Sequence, residues 1–249
     1  MQFKDGDITT ALIDADIMMY RSAWKHEGGD VEELHETIDV MFEHLFHVTK
    51  CENYIGFLTG KGNFRKEIAK TKPYKGNRKD MVIPEHLDNA RDYLVEQWNC
   101  YVVNGLEADD ALGICQTKME KTIICSIDKD LLQIEGLHYN WNNGTIKNVS
   151  REEAWLKLYE QTLSGDSTDN IVGIPRVGEK TAKKILADCY DKDSACTTAL
   201  KAYGNYYKND SDYASVMFTE NLNLVQICTS ENDLRLKEKF IIPEPHYVF

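Results

Sequence analysis

Long apolar runs, paired cysteines and proline are scarce in this sequence of 249 residues. No run of about 18 apolar residues occurs, so we predict no membrane-spanning helix. The N-terminal residues lack the basic-then-apolar pattern of a signal peptide, so we expect no export. The seven Cys form no CxxC pair, which favours free thiols in the cytoplasm. With only five Pro and 15 Gly, the composition excludes collagen-like and low-complexity chains.

The net charge of −12 would argue against a nucleic-acid partner if it were spread evenly. Residues 61–80, however, contain eight Lys or Arg and only two acids, for a local net charge of +6. Phe64 and Tyr74 lie among these cations, and aromatic rings between cations are typical of single-strand binding. A solvated charged surface remains the alternative interpretation of this basic arch, residues 61–82.

The apolar pattern predicts an α/β fold with a central, mostly parallel sheet flanked by helices. Strands are predicted at 9–14, 54–58, 100–103, 122–127 and 136–141, with helices between them and an Asn143–Gly144 turn after the last. Beyond residue 148 only helices are predicted. We therefore expect an α/β core at 1–148, containing the basic arch, and a helical region at 149–249.

Four acidic groups are placed where a catalytic site of such a sheet would form. Three of them follow predicted strands, and the fourth precedes a glycine-rich turn; the members are Asp14, then Glu107, Asp109 and Asp110, then Asp128 and Asp130, and finally Asp166 and Asp169. The carboxyl ends of parallel strands share one edge, where active sites form. Converging carboxylates repel one another and favour cations, and oxygen ligands suit Mg²⁺ or Mn²⁺. Helix caps or solvated loops are the alternative for each group.

The glycine-rich turn at 173–182 opens a helix. It is not a P-loop, because Glu179 follows Gly178 where that motif requires Lys. A helix–hairpin–helix fits better, since its glycines let backbone N–H groups approach a DNA phosphate and Lys180 adds charge. A plain turn between two helices is the alternative.

Five motifs in order resemble the 5′-nuclease family, which includes phage 5′–3′ exonucleases, the 5′-nuclease domain of bacterial DNA polymerase I and the flap endonucleases. They are LIDAD, FRKE followed by YKGNR, GLEADDALG, SIDKDLLQI and LSGDSTDNIVGIPRVGEKTAKKIL. The resemblance covers Leu12 to about Cys228 and implies a PIN-like fold with hydrolysis of a phosphodiester near a 5′ end.

The resemblance also implies two divalent ions, Mg²⁺ or Mn²⁺, and a K⁺ at the hairpin. The more tightly bound ion, or its water shell, would be held by Asp14, Glu107, Asp109, Asp110 and Asp128. The second ion would be held by Asp130, Asp166 and Asp169. The arch residues Lys75 and Arg78 would contact the scissile phosphate. Tyr20 would stack on a base, and Arg65 and Tyr74 would contact a phosphate or the strand. The hairpin would bind DNA through Gly173, Arg176, Gly178, Lys180 and Thr181.

By the same resemblance, the substrate is DNA with 5′ ends, flaps or nicks, or an RNA–DNA hybrid. The protein would be a monomer and would act in the cytoplasm, which is the host cytoplasm if the protein is phage-encoded. Its protein partners would be a replicative polymerase or a single-strand-binding protein. The family has an acid shortly before the FR motif, and residues 57–65 contain none; Gly60 is the best alignment for it. This departure keeps a catalytically weak or inactive structure-specific DNA-binding homologue as the alternative.

Overall fold

The structure, a computed structural model, describes residues 9–79, 81–208 and 210–248. These residues form two compact units. Unit 1 takes its described residues from 1–62, 82–149 and 228–249, and unit 2 from 63–81 and 150–227. Most of the basic arch therefore groups with the helical region, and the C-terminal tail groups with the sheet, which differs from the predicted division at residue 148.

The helices occupy both units. They are α1 (Ala15–Lys25), α2 (Val31–Thr49), α3 (Arg65–Ile68), α4 (Leu87–Glu96), α5 (Ala108–Lys118), α6 (Arg151–Ser164), α7 (Glu179–Ile185), α8 (Lys192–Tyr206) and α9 (Ser211–Val225), with short 3₁₀ helices at Gly76–Arg78 and Asp130–Gln133. No helix within the described ranges has both the length and the apolar character that a membrane crossing needs.

All strands belong to unit 1. They are β1 (Thr10–Asp14), β2 (Asn53–Thr59), β3 (Tyr101–Val103), β4 (Thr122–Cys125), β5 (Gly136–Asn140), β6 (Thr145–Val149) and β7 (His246–Tyr247). Their order is β3-β2-β1-β4-β5-β6, and β7 pairs with β2. β1 to β5 run parallel to one another, whereas β6 is antiparallel to β5 and β7 is antiparallel to β2. The predicted α/β class with a mostly parallel sheet is confirmed.

The core of unit 1 lies where α2 covers the sheet. Leu34, Ile38, Phe42 and Leu45 recur at helical spacing and are fully buried, so α2 presents one apolar face. Phe42 stacks on Trp98 with ring centroids 4.0 Å apart. Asp30 begins the helix by accepting a hydrogen bond from Glu32 N at 2.6 Å. These contacts hold α2 against the sheet whose carboxyl edge carries the candidate site.

Unit 2 is built around α6, α8 and α9. Tyr203 is fully buried among them. Its hydroxyl donates to Thr162 O at 2.6 Å and accepts from Asn221 Nδ2 at 2.9 Å, so the buried oxygen is fully used. A capping box between Ser150 and Glu153 begins α6.

The C-terminal tail contributes a strand to the sheet, which the sequence did not predict. Residues His246–Tyr247 form β7 against Asn53 and Tyr54 of β2. Such a two-residue strand carries too little periodicity to be recognised in a sequence. The Asn143–Gly144 turn was predicted correctly, but the strand after it, β6, was missed because only one of its five residues is fully buried.

Candidate active site

Asp14 lies at the centre of the carboxyl edge of the sheet. It ends β1 and begins α1, where its Oδ1 accepts a hydrogen bond from Ile17 N at 3.2 Å. Its side chain is buried, with 2% of the residue exposed. Burial, together with the charges of Asp16 and Asp128, raises its pKa to about 7, against a lowering by the hydrogen bond from Ser126. Asp14 is therefore a carboxylate in an environment that disfavours additional negative charge.

Ser126 connects Asp14 to the acidic residues that follow β4. Its hydroxyl donates to Asp14 Oδ2 at 2.7 Å and accepts from Asp128 N at 2.9 Å. Asp128 Oδ1 in turn accepts from Asp130 N at 2.8 Å. Asp128 and Asp130 are both half-buried. The structure thus brings the acids after β1 and β4 to one place, as the strand-end argument predicts.

Asp16 belongs to the same site and was missed as a site residue. Both of its carboxylate oxygens lie 3.1 Å from Thr59 N, which donates to them at the end of β2. Thr59 Oγ1 accepts from Ala108 N at 2.9 Å, so this residue also holds the beginning of α5. The signal was available, because Asp16 is the second acid of LIDAD. Asp16 places a carboxylate beside β2, where the family's additional acid is absent from the sequence.

Gly60 leaves no room for that missing acid. A Cβ at Gly60 would lie 2.6 Å from Val103 O and still closer to Asn104 Oδ1. The backbone is held there by a hydrogen bond from Gly60 N to Val103 O at 2.7 Å. Restoring an acid at residue 60 is therefore incompatible with the packing of β2 against β3.

The second acidic group, Glu107, Asp109 and Asp110, lies at the start of α5. Asp110 is fully buried and accepts from Glu107 N at 3.1 Å and from Cys228 N at 2.9 Å. With Glu107 it forms the capping box of α5. Because both of its oxygens accept from backbone N–H groups, Asp110 positions the start of α5, and its role as a ligand of the tighter ion or of its water shell stays a prediction. Glu107 and Asp109 are half-buried at the same helix start.

The donor chemistry of this edge fits a hard divalent cation. Asp14, Asp16 and Asp128 are close enough for two of them to raise the pKa of the third, and a cation would relieve that repulsion. Within the ranges that the structure describes, however, no three His, Cys, Asp or Glu side chains are arranged to hold a metal ion.

In unit 2 the arch cations contact Asp169. Arg78 Nη2 lies 2.6 Å from Asp169 Oδ1, and Lys75 Nζ lies 3.7 Å from Oδ2. The hydroxyl of Tyr74 donates to the same Oδ2 at 2.6 Å, and Lys75 N donates to Asp169 O at 2.9 Å. Residues predicted to bind a phosphate and a metal ion thus bind each other in this structure.

Two arch residues are buried and have structural contacts. Arg65 is 3% exposed, and its guanidinium donates to Leu224 O and Gln226 O, both at 2.9 Å. Tyr74 is 6% exposed and packs with Leu158 and Ile171. These contacts fix both side chains within unit 2, and their contact with a phosphate or a DNA strand stays a prediction.

The turn between α6 and α7 exposes the predicted hairpin cation. Gly173 has a φ of +62°, and a Cβ there would meet the backbone of Ser164. Arg176 is exposed with a left-handed φ of 67°, which is costly for a residue with a side chain. Asp166 Oδ1 accepts from Thr168 N at 2.7 Å within the turn. The remaining predicted hairpin residues, Gly178, Lys180 and Thr181, are exposed at the start of α7.

Tyr20, the predicted stacking residue, lies on α1 and is 46% exposed. One helical turn further along, Trp24 is 48% exposed. The solvent-facing side of α1 therefore carries two large rings beyond Asp14, and Tyr20 is accessible for the predicted role.

The fold has counterparts among solved structures. The flap endonuclease of bacteriophage T5, in a pseudo-enzyme–product complex with DNA and metal ions, superposes with a TM-score of 0.65 at 15% identity, covering 88% of this chain and 89% of that chain. The catalytic core of Rad2 in complex with DNA substrate superposes with a TM-score of 0.53 at 13% identity, covering 97% and 82%. At these identities the likeness shows a shared fold.

Sequence relatives are closer. The exodeoxyribonuclease of Enterobacteria phage T3 is 34% identical over 135 residues, which cover 51% of this chain and 44% of the relative. The 5′–3′ exonuclease of Buchnera aphidicola subsp. Schizaphis graminum is 27% identical over 200 residues, covering 70% and 68%. Across five such relatives, the chain spans from 43% to 68% of their length.

A family model, described as the 5′–3′ exonuclease N-terminal resolvase-like domain, matches residues 9–159. This match covers more than half of the chain and includes β1 to β6 with all the acids of the sheet edge. It confirms the resemblance that the five motifs indicate. The chain therefore belongs to the 5′–3′ exonuclease family.

Proposed function

We propose that the protein is a structure-specific 5′ nuclease that hydrolyses phosphodiester bonds of DNA, or of an RNA–DNA hybrid, near a 5′ end. The observation that carries this proposal is the buried Asp14, linked through Ser126 to Asp128 and facing Asp16 at the carboxyl edge of a parallel sheet. Carboxylates gathered at this edge are the arrangement that metal-dependent phosphoryl chemistry uses. The phage and bacterial exonucleases named above support the same class of reaction.

The carboxylates of unit 1 would hold divalent Mg²⁺ or Mn²⁺. Asp14, Asp16, Glu107, Asp109, Asp128 and Asp130 supply the oxygen donors, and Asp110 holds the start of α5 in place. A bound divalent ion supplies a water of lowered pKa and stabilises charge on the phosphate. Asp166 and Asp169 are proposed as ligands of a second ion, on the family resemblance.

The cations of unit 2 would neutralise phosphate charge. Lys75 and Arg78 are partly exposed, with 26% and 37% of their side chains accessible. A phosphate would compete with Asp169 for both of them, because each contact is an ion pair that a second anion can replace. We expect these two side chains to pass from Asp169 to the substrate on binding.

The turn between α6 and α7 would bind duplex DNA as a helix–hairpin–helix. Arg176, Gly178, Lys180 and Thr181 are exposed, so this turn presents two cations to solvent. Such contacts fix position on the backbone without reading sequence. A K⁺ held by backbone carbonyls near Gly173 belongs to the same proposal.

Asp128→Asn tests the metal assignment. The amide oxygen can still accept from Asp130 N, so the local fold is kept while one charge is lost. On a labelled flap DNA with Mg²⁺, we expect the cleavage rate to fall more than tenfold, and DNA affinity in EDTA to stay unchanged. Asp188→Asn is the control, because it makes the same substitution at an exposed carboxylate of unit 2.

Two results would overturn parts of the proposal. An Asp128→Asn rate within tenfold of the wild type would refute the metal assignment. A wild-type protein that binds the flap DNA tightly, yet cleaves nothing with Mg²⁺ or Mn²⁺, would instead establish the inactive DNA-binding homologue.

A further inference from the structure

Thr59 lies at the carboxyl end of β2, in contact with two acidic segments of the candidate active site. It is half-buried and is the last residue of its strand. Asp16 belongs to the segment that follows β1, whereas Glu107 and Asp109 belong to the start of α5. All of these residues are part of unit 1. The contacts of Thr59 therefore bear on how acids from two separate segments are placed relative to each other.

The backbone N–H of Thr59 orients the carboxylate of Asp16. The nitrogen lies 3.1 Å from each of the two carboxylate oxygens. A donor placed equally between two oxygens restrains the direction of the carboxylate, because rotation of the group lengthens one of the two contacts. The end of β2 thus sets the direction in which Asp16 faces.

The hydroxyl of Thr59 holds the start of α5. Its Oγ1 accepts a hydrogen bond from Ala108 N at 2.9 Å. Ala108 is the first residue of α5, and the N–H groups of a first helical turn have no partner within the helix. Because Ala108 is only 2% exposed, the protein itself must supply the acceptor. Ala108 stands between Glu107 and Asp109 in the chain, so the same contact positions two acids.

Arg91 completes the restraint on Thr59. From α4, its Nη2 donates to Thr59 O at 3.0 Å. The N–H, the hydroxyl and the carbonyl of Thr59 are therefore bound by α1, α5 and α4 respectively. The next residue, Gly60, donates from its backbone N to Val103 O at 2.7 Å, which fixes the strand end against β3. Thr59 can move only if these elements move with it.

We infer that Thr59 is a positioning residue, which fixes Asp16 relative to the start of α5 and thereby raises the affinity of the site for a divalent ion. The inference rests on the proposed function, because it takes the bound ion from there. Thr59 acts through the acids that it holds and is not itself a ligand. Removing a group that orients metal ligands typically weakens metal binding by about 10- to 100-fold.

The test compares two substitutions at Thr59. Thr59→Val keeps the shape of the side chain and loses the hydroxyl, whereas Thr59→Ser keeps the hydroxyl. The affinity for Mn²⁺ is measured without DNA, from the electron paramagnetic resonance signal of the free ion. We expect Thr59→Val to weaken Mn²⁺ binding by about tenfold or more, and Thr59→Ser by less than about threefold. In metal-free protein, the Ala108 amide proton should exchange with solvent faster in Thr59→Val only.

Thr117→Val is the matched control, because it removes a hydroxyl from the other end of α5. Thr117 Oγ1 donates to Gly113 O at 2.7 Å, so this variant also loses one hydrogen bond. Its Mn²⁺ affinity should equal that of the wild type. A Thr59→Val protein with wild-type Mn²⁺ affinity would overturn the inference, and so would a Thr59→Ser protein that binds as weakly as Thr59→Val.

Arg91→Met provides a second test, which does not depend on the folding of Thr59→Val. Loss of a cation near acids would, by charge alone, strengthen the binding of Mn²⁺. Loss of the contact that holds Thr59 O should weaken it, so the two effects have opposite signs. We expect Arg91→Met to bind Mn²⁺ more weakly than the wild type. Equal or tighter binding would overturn the inference.

These outcomes separate the inference from the proposed function. A wild-type protein that binds Mn²⁺ but cleaves no flap DNA, with weakened binding in Thr59→Val, would uphold the positioning role and refute the nuclease. Normal cleavage with unchanged Mn²⁺ affinity in Thr59→Val would refute the positioning role alone. A wild-type protein that binds no Mn²⁺ would refute both.

Discussion

Replacing Tyr74 by Phe should destabilise unit 2 through the loss of one hydrogen bond. The ring of Tyr74 packs in a small apolar cluster with Leu158, Ile171, Leu224 and Val225, and Phe can keep that packing. What is lost is the O–H group, which donates to Asp169 Oδ2 at 2.6 Å. The variant therefore isolates the hydrogen bond from the burial of the ring.

The expected magnitude follows from the charge of the acceptor and its exposure. A hydrogen bond to a charged group contributes about 1.5–3 kcal/mol. Arg78 still contacts Asp169 Oδ1 at 2.6 Å, and 19% of the Asp169 side chain is accessible to water. The carboxylate of Asp169 therefore keeps hydrogen-bond partners in the variant. We expect the free energy of unfolding to fall by about 2 kcal/mol, toward the lower half of that range.

Urea unfolding measures this loss, and limited proteolysis locates it. Tyr190→Phe is the matched control, because Tyr190 is 81% exposed and its loss should change stability by less than about 0.5 kcal/mol. Cleavage of the arch at its Lys and Arg residues should accelerate in Tyr74→Phe only. A Tyr74→Phe protein as stable as the control would show that the hydrogen bond from Tyr74 to Asp169 contributes nothing to stability.

Three further variants test separate features. Gly60→Ala should lower the free energy of unfolding by about 1–3 kcal/mol, because the new methyl group would overpack against Val103 O. Gly204→Ala is the control in the same urea series and should raise that free energy, because Gly204 lies in α8 with open space around it. Equal effects of the two variants would refute the close approach of Gly60 to Val103. Arg176→Gly should be about 1 kcal/mol more stable than Arg176→Ala, because only Gly adopts the left-handed backbone without strain. Both variants should weaken DNA binding, and unchanged affinity would show that Arg176 does not contact DNA. Burial lowers the pKa of His138 from 6.5 to about 4, so between these pH values the unfolded chain binds a proton that the folded chain does not. The free energy of unfolding should therefore fall as the pH drops from 6.5 to about 4, by up to about 1.4 kcal/mol per pH unit. His138→Gln should flatten this slope, and an unaltered slope would show that another group causes it.

The strand ends were predictable because burial leaves a strong pattern in sequence. The apolar run into Asp14 and the run into Asp128 are continuous, and parallel topology then brings both acids to one edge. The roles of single acids were less accessible. Asp110 resembles a ligand in GLEADD, but its oxygens bind Glu107 N and a backbone N–H from residue 228, more than a hundred positions away.

Side chains of the basic arch show the same limit. A run of Lys and Arg predicts a phosphate-binding surface, yet it does not reveal which cation turns inward. Arg65 is buried because two carbonyls at the end of α9 accept its N–H groups, and those carbonyls are about 160 residues distant in sequence. Local patterns cannot report partners that only tertiary structure supplies.

The return of the chain to the sheet after residue 227 has a consequence for the order of folding. Unit 1 combines segments that precede and follow the helical unit, and its Cys228 N–H completes the cap of α5 by donating to Asp110 at 2.9 Å. During synthesis from the N-terminus, β1 to β6 emerge well before this donor does. The beginning of α5, with Glu107 and Asp109, therefore reaches its final order late, after unit 2 has been made. A nascent chain of this kind would complete the start of α5 only after residue 228 has left the ribosome, later than the synthesis of β1 to β6.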